Sequence, residues 1–133
     1  MIITAFYAGL LALWFVLLSA LVIQRRRSGS ISLGDGGDAS LQRRIRGHAN
    51  FAEYVPLTLL LMALLEMGRT SIYVLHVLGI LLLVGRLLHG YALSFTDKFF
   101  LGRTLGAALT FTVLVIAGIL CVWQGFRGMT LTM

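Results

Sequence analysis

Arg46, Asn50 and Glu53 stand at i, i+4 and i+7 within RRIRGHANFAEYVPLTLLLMALLE, so on a helix one face carries a guanidinium, a carboxamide and a carboxylate. Arg43 extends this stripe toward the end of the segment. The segment is apolar enough to cross a bilayer, where polar groups are costly unless they have a partner or a task. Cations near the headgroups, then an amide, then a carboxylate suit a peptide-like ligand with both carboxylates and an amine. Arg86 and His89 lie one turn apart in a second apolar segment, and Arg103 with Thr104 opens a third. Helix N-termini favour anions, and a guanidinium beside one can hold a thiol as thiolate.

Nearly the whole chain serves to position these groups. Of its 133 residues, 59% are hydrophobic and 12% charged, against about 25% charged in ordinary globular domains. The composition predicts an all-α integral membrane protein, a four-helix antiparallel bundle forming a single membrane domain over 1–133. Expected helices are about 2–24, 42–67, 70–95 and 103–125, each near the roughly 20 residues needed to span hydrocarbon. The stretch 25–41 is a Gly- and Ser-rich polar connection in which Asp35 and Asp38 read as solvated residues. Met1 to Leu10 contains no Lys or Arg, and the apolar stretch it opens is long, so the first helix is expected to be a permanent anchor, not a cleaved signal. Pro56 predicts a kink in the second helix, because it has no N–H and its ring crowds the carbonyl of Ala52.

Of the 11 basic residues, Arg25, Arg26, Arg27, Arg43, Arg44, Arg46, Lys98 and Arg103 border the first and third connections, whereas only Arg69 and Arg127 flank the other side. The positive-inside rule therefore places those two connections in the cytoplasm and both termini outside. The net charge of +6 follows helix ends and forms no separate basic domain, which argues against nucleic acid as a partner and for lipid headgroups and a small anionic ligand. The lone Cys121 permits no intrachain disulfide, and its apolar helix suits a packing role. His48, His76 and His89 are far apart in sequence and at different depths, so no metal site is expected.

Glu53 lies about 12 residues inside the second helix, roughly 18 Å deep, and Arg86 about nine residues inside the third, roughly 14 Å. The two levels agree within one turn, which predicts a Glu53–Arg86 ion pair, since an unpaired charge at that depth is far costlier. That pair could be purely structural, fixing the bundle with no chemistry nearby. The additional polar groups favour a pocket beside it.

The segment RRIRGHANFAEYVP resembles the leukotriene-synthase branch of the MAPEG family (membrane-associated proteins in eicosanoid and glutathione metabolism), with Arg46, Asn50, Glu53, Tyr54 and Pro56 in that branch's order and spacing. GRLLH from Gly85 to His89 is similar to the helix-three motif of the prostaglandin-synthase branch. With four spans and an arginine at the start of helix four, the likeness covers nearly the whole chain and points to a bacterial-type, inner-membrane member. It implies homotrimers with glutathione sites between subunits near the cytoplasmic face. Carried over, Arg25, Arg46, Asn50, Glu53, Tyr54 and His89 would bind glutathione, Arg86 would pair with Glu53, and Arg103 would be catalytic, stabilising the thiolate. Leu93, one turn beyond His89, stands where several catalytic relatives carry tyrosine, so one ligand hydroxyl is missing.

The leading expectation is a membrane glutathione S-transferase in detoxification, with glutathione peroxidase activity also in view, acting on hydrophobic small-molecule substrates that arrive through the lipid bilayer. Glutathione would be its co-substrate, with no metal. Two alternatives stay open: a non-catalytic lipid-binding or scaffold protein of the same fold, and a small proton-coupled transporter using Glu53.

Overall fold

The computed structural model describes residues 1–96 and 98–131. Among them the chain forms four helices and no strand: α1 (Ile2–Ser28), α2 (Ala39–Met67), α3 (Ile72–Ser94) and α4 (Phe100–Leu131). All four are long and apolar enough to cross a membrane. Two run well past the expected bounds, α1 through its arginines to Ser28 and α4 from Phe100 onward to Leu131. The apolar pattern ends at the membrane border, but arginine is a good helix former, and Arg25, Arg26 and Arg27 in the last turn of α1 complement its dipole. α2 continues unbroken through Pro56.

α2 starts at Ala39 because Asp38 caps it: one carboxylate oxygen accepts from the backbone N–H of Ser40 (2.9 Å) and Leu41 (3.1 Å). Its other oxygen takes Nε of Arg25 at 2.7 Å, tying the end of α1 to the start of α2. The Arg25 bond, followed by the Leu41 N–H, holds the Asp38 carboxyl below its ordinary 3.8. Asp38 is therefore a structural junction, where a merely solvated residue was expected. The chain reaches it through Gly34, Gly36 and Gly37, whose φ values of 69°, 59° and 79° lie in the left-handed region open to glycine.

Each helix runs against the one before it. Glu66 near the end of α2 accepts from the N–H groups of Ile3 (3.0 Å) and Thr4 (2.9 Å) that open α1. From Tyr7 against His76 to Trp14 against the Arg86 carbonyl, α1 and α3 run side by side in the same direction. Tyr54 against Phe111 and Cys121 against the Leu61 carbonyl relate α2 and α4 in the same way. α2 and α3 form the central pair; among the described residues α1 and α4 do not meet.

In hydrocarbon, helices gain little from the hydrophobic effect by meeting, so close packing and interhelical hydrogen bonds must hold the bundle. Glycines provide the close approaches. A Cβ on Gly106 would lie 2.5 Å from the Gly85 carbonyl oxygen and 2.7 Å from the His89 nitrogen, so the backbones of α3 and α4 nearly touch there. Gly79 makes room for the Tyr7 ring, and Gly90 for the indole of Trp14. Leu11, Leu18, Phe51, Val55, Met62, Leu78, Leu82 and Val113 fill the core. Leu57, Leu60 and Leu64 on α2 and Val115, Ile119 and Val122 on α4 are exposed, as suits faces meeting lipid or another polypeptide.

Candidate functional site

At the arginine-rich end of the bundle, where α2 and α4 begin and α3 ends, a cavity of about 350 Å³ is lined by Gln42, Arg43, Arg46, Asn50, His89, Leu93 and Arg103. Gln42, Arg43, Arg46 and Asn50 occupy the first three turns of α2, His89 and Leu93 are one turn apart on α3, and Arg103 stands in the first turn of α4. Gly47 brings α2 close to α3, since a Cβ there would sit 3.3 Å from that of Leu93. Two helix N-termini thus border a cavity whose lining, among the described residues, carries three guanidiniums and no carboxylate. Their partial positive charges add to the arginines, making the site suited to anions. The Arg103 guanidinium lies 5.1 Å from the centroid of the Phe100 ring, within the range of a cation–π contact.

The expected Glu53–Arg86 ion pair is not formed. Arg86, 2% exposed, instead donates from Nη1 to Oδ1 of Asn50 (2.8 Å) and from Nη2 to the Gly106 carbonyl (3.3 Å). The same carbonyl accepts from Thr110 Oγ1 at 2.9 Å. Glu53 is exposed on the outer side of α2 and has no intrachain partner among the described residues. Residue spacing fixes its depth relative to Arg86 to within a turn but does not fix its rotation about the helix. Three residues of helix turn the side chain by about 300°, so with Asn50 aimed at α3, Glu53 points about 60° to one side. Its stripe is that of Arg46, Leu57, Leu60 and Leu64, all exposed. This position also keeps the carboxylate out of the bundle interior, where a proton-exchanging site would need it.

Of the residues expected at the site, Arg46, Asn50, His89 and Arg103 come together around the cavity, whereas Arg25, Glu53 and Tyr54 do not line it. Arg25 is held at the α1–α2 junction by Asp38. Tyr54 packs edge-on against Phe111, 5.0 Å between ring centroids. Gln42 lines the cavity without having been singled out; its spacing of four residues before Arg46 was the available signal. Asp38 was likewise missed, although an aspartate just before a helical apolar pattern is a capping signature.

The arrangement can bind a ligand with more than one negative group and can lower the cost of ionising an acidic group near Arg103. The MAPEG family model matches residues 4–123. Inner membrane protein YecN of Escherichia coli K12 is 36% identical over 121 residues, which are 91% of each chain, and the YecN of E. coli strain O6:H1 matches to the same extent.

Proposed function

The chain belongs to the MAPEG family, and from that premise together with its cationic cavity we propose that it is an inner-membrane glutathione S-transferase, with peroxide reduction as a second outlet for the same thiol. The observation that carries this reading is the convergence of Arg43, Arg46 and Arg103, from two helices, on one cavity with no lining carboxylate among the described residues. Glutathione offers two carboxylates and a thiol, and its thiolate form has a net negative charge that such a cavity favours.

Arg43 and Arg46 bind the carboxylates with charge-assisted hydrogen bonds, aided by Asn50. Arg103, at the start of α4, stabilises the thiolate, which forms a C–S bond to an electrophilic carbon as the leaving group departs with the bonding pair. His89 borders the thiol region. Glu53, outside the cavity on the exposed edge of α2, is the carboxylate available to the ligand's ammonium. An exposed carboxylate beside Leu57 and Leu60 at membrane depth calls for a protein neighbour, which supports the homotrimer with sites between subunits, where Arg25 and Tyr54 of the chain also contribute. The cavity end carries the arginines, so it faces the cytoplasm, the reducing compartment in which a free thiol persists. Lipophilic electrophiles reach it laterally from the bilayer.

Purified protein is expected to conjugate glutathione to a halogenated nitroaromatic, and Arg103→Ala to lower that rate at least about tenfold, the effect of losing one hydrogen bond to a charged group. Glutathione binding with no turnover across a broad electrophile panel would dismiss the enzyme. It would favour the second reading, a non-catalytic lipid-binding or scaffold protein, which the apolar Leu93 in the cavity lining supports.

A further inference from the structure

Arg69 and Arg127, the two basic side chains that flank the opposite end of the bundle, line one cavity there. It measures about 390 Å³ and lies where the α2–α3 turn meets the last turns of α4, with Leu65 and Leu120 on its core side and Trp123 one turn before Arg127. The turn closes α2 with the Thr70 N–H on the Leu65 carbonyl (3.0 Å) and the Arg69 N–H on the Glu66 carbonyl (3.1 Å), a closure whose left-handed residue is ordinarily glycine. Here that residue is Arg69, at φ 60°, while the glycine stands one position earlier at φ −77°. Gly68 provides space instead: a Cβ there would run into the Gln124 carboxamide. Gln124 braces α4 against the turn, donating from Nε2 to the Leu64 carbonyl (3.2 Å) and accepting at Oε1 from Thr70 Oγ1 (3.4 Å). A guanidinium is thus carried at a backbone position that disfavours any side chain, at a cost in stability.

Among the described residues the carboxylate at this end is Glu66, and it is held by the Ile3 and Thr4 N–H groups and by the amino terminus of Met1 at 3.6 Å. Neither Arg69 nor Arg127 forms an ion pair among the described residues. Two guanidiniums on one cavity repel each other, and an anion between them removes that repulsion. Their paired N–H donors match phosphate oxygens. Leu64, Val122 and Phe126, each next in sequence to a lining residue, are exposed and offer apolar surface at the cavity's edge, and Trp123 suits the headgroup level.

We infer that this second cavity binds the phosphodiester of an anionic glycerophospholipid from the leaflet at that end of the bundle, with Arg69 and Arg127 gripping its oxygens and its acyl chains lying along the apolar faces of α2 and α4. The ammonium of a zwitterionic headgroup would meet the same two guanidiniums, so a lipid with net negative charge is favoured. The site is at the other end of the bundle from the cationic cavity, and the inference does not rest on glutathione.

The test is a thermal-unfolding titration of the full-length protein in an uncharged detergent with phosphatidylglycerol, phosphatidylethanolamine or inorganic phosphate. Phosphatidylglycerol is expected to raise the melting temperature saturably, and the other two to leave it in place. Arg69→Gly removes the guanidinium and relieves the backbone, so without lipid it should melt at or above the wild-type temperature. Half-saturation by phosphatidylglycerol should nevertheless need at least about tenfold more lipid, the effect of losing one hydrogen bond to a charged group. Arg127→Gln leaves the turn unaltered and should weaken binding to the same degree; it carries the test if Arg69→Gly melts below wild type. Arg27→Gln, an exposed arginine at the other end, should bind as wild type does. The inference is overturned by a wild type that does not respond to phosphatidylglycerol, by an equal response to phosphatidylethanolamine, or by undiminished binding in Arg127→Gln. An equal loss in Arg27→Gln would reduce the effect to general surface charge, and an equal response to inorganic phosphate would give the cavity to the free anion; either result also overturns it.

Discussion

Nη1 of Arg86 lies 2.8 Å from Oδ1 of Asn50, and this bond connects the buried centre of α3 to the wall of the cationic cavity. It stands where an ion pair with Glu53 was expected, and it alters what each of the three side chains is for. Arg86 is anchored by the Asn50 and Gly106 oxygens, Asn50 accepts from it, and Glu53 is left exposed on the outer side of α2.

Glu53 can be tested first. Within the chain it makes no bond among the described residues, so Glu53→Gln should alter the intrinsic stability of the subunit by no more than about 0.5 kcal/mol. An intrachain buried ion pair would instead lose roughly 3–5 kcal/mol. Thermal unfolding in detergent, with subunit association followed by light scattering, separates the cases. The account predicts that any drop in melting temperature accompanies loss of association. A large drop at constant oligomeric state would restore the ion pair.

The α3–α4 crossing makes a second prediction. Gly106→Ala forces a Cβ to within 2.8 Å of three atoms, two of them backbone atoms that cannot move aside cheaply. A cost of about 1–3 kcal/mol is expected. Gly118→Ala on the same helix meets nothing within 4 Å and should stabilise by roughly 0.5–1 kcal/mol, the propensity gain of alanine in a helix interior. Parallel melting curves with opposite signs would bear out the geometry; equal effects would contradict it.

Asp38 supplies a pH dependence with a definite sign. Arg25 and the Leu41 N–H depress its carboxyl below 3.8, so the folded state favours the charged form. The resulting stabilisation is fully present above that value and disappears as pH falls below it through the folded-state pKa. Asp38→Asn retains a capping oxygen but loses the charge on which Arg25 acts. Its melting temperature should be lower than wild type at neutral pH, with the difference closing as the pH drops below about 4. A difference that persists unchanged in acid would assign the effect to something other than this carboxylate.

Much of this architecture was legible from patterning. Long uncharged runs specified four spans, and the spacing of Arg46 and Asn50, with His89 and Arg103 at the borders of later helices, anticipated four residues that now line one cavity. Depth is a one-dimensional property of a helix, which is why Arg86 was placed at the right level. Rotation about the axis depends on how α2 packs, and the rule for that was distributed over Gly47, Phe51, Val55, Thr58 and Met62, all buried on the opposing stripe. That is why Asn50, not Glu53, meets Arg86. The Gly85–Gly106 crossing was equally hidden, because a glycine marks a possible close approach without naming its partner. The role of Asp38 was obscured by its glycine-rich neighbourhood, although its capping position was readable.

The most direct test of the account is calorimetric titration of the purified wild-type protein with reduced glutathione, alongside Arg46→Ala. Saturable wild-type binding, weakened at least about tenfold by Arg46→Ala, is the predicted result for a cavity that grips the tripeptide through its guanidiniums. No heat of binding at millimolar glutathione, or binding indifferent to Arg46, would contradict the assignment of this cavity to glutathione.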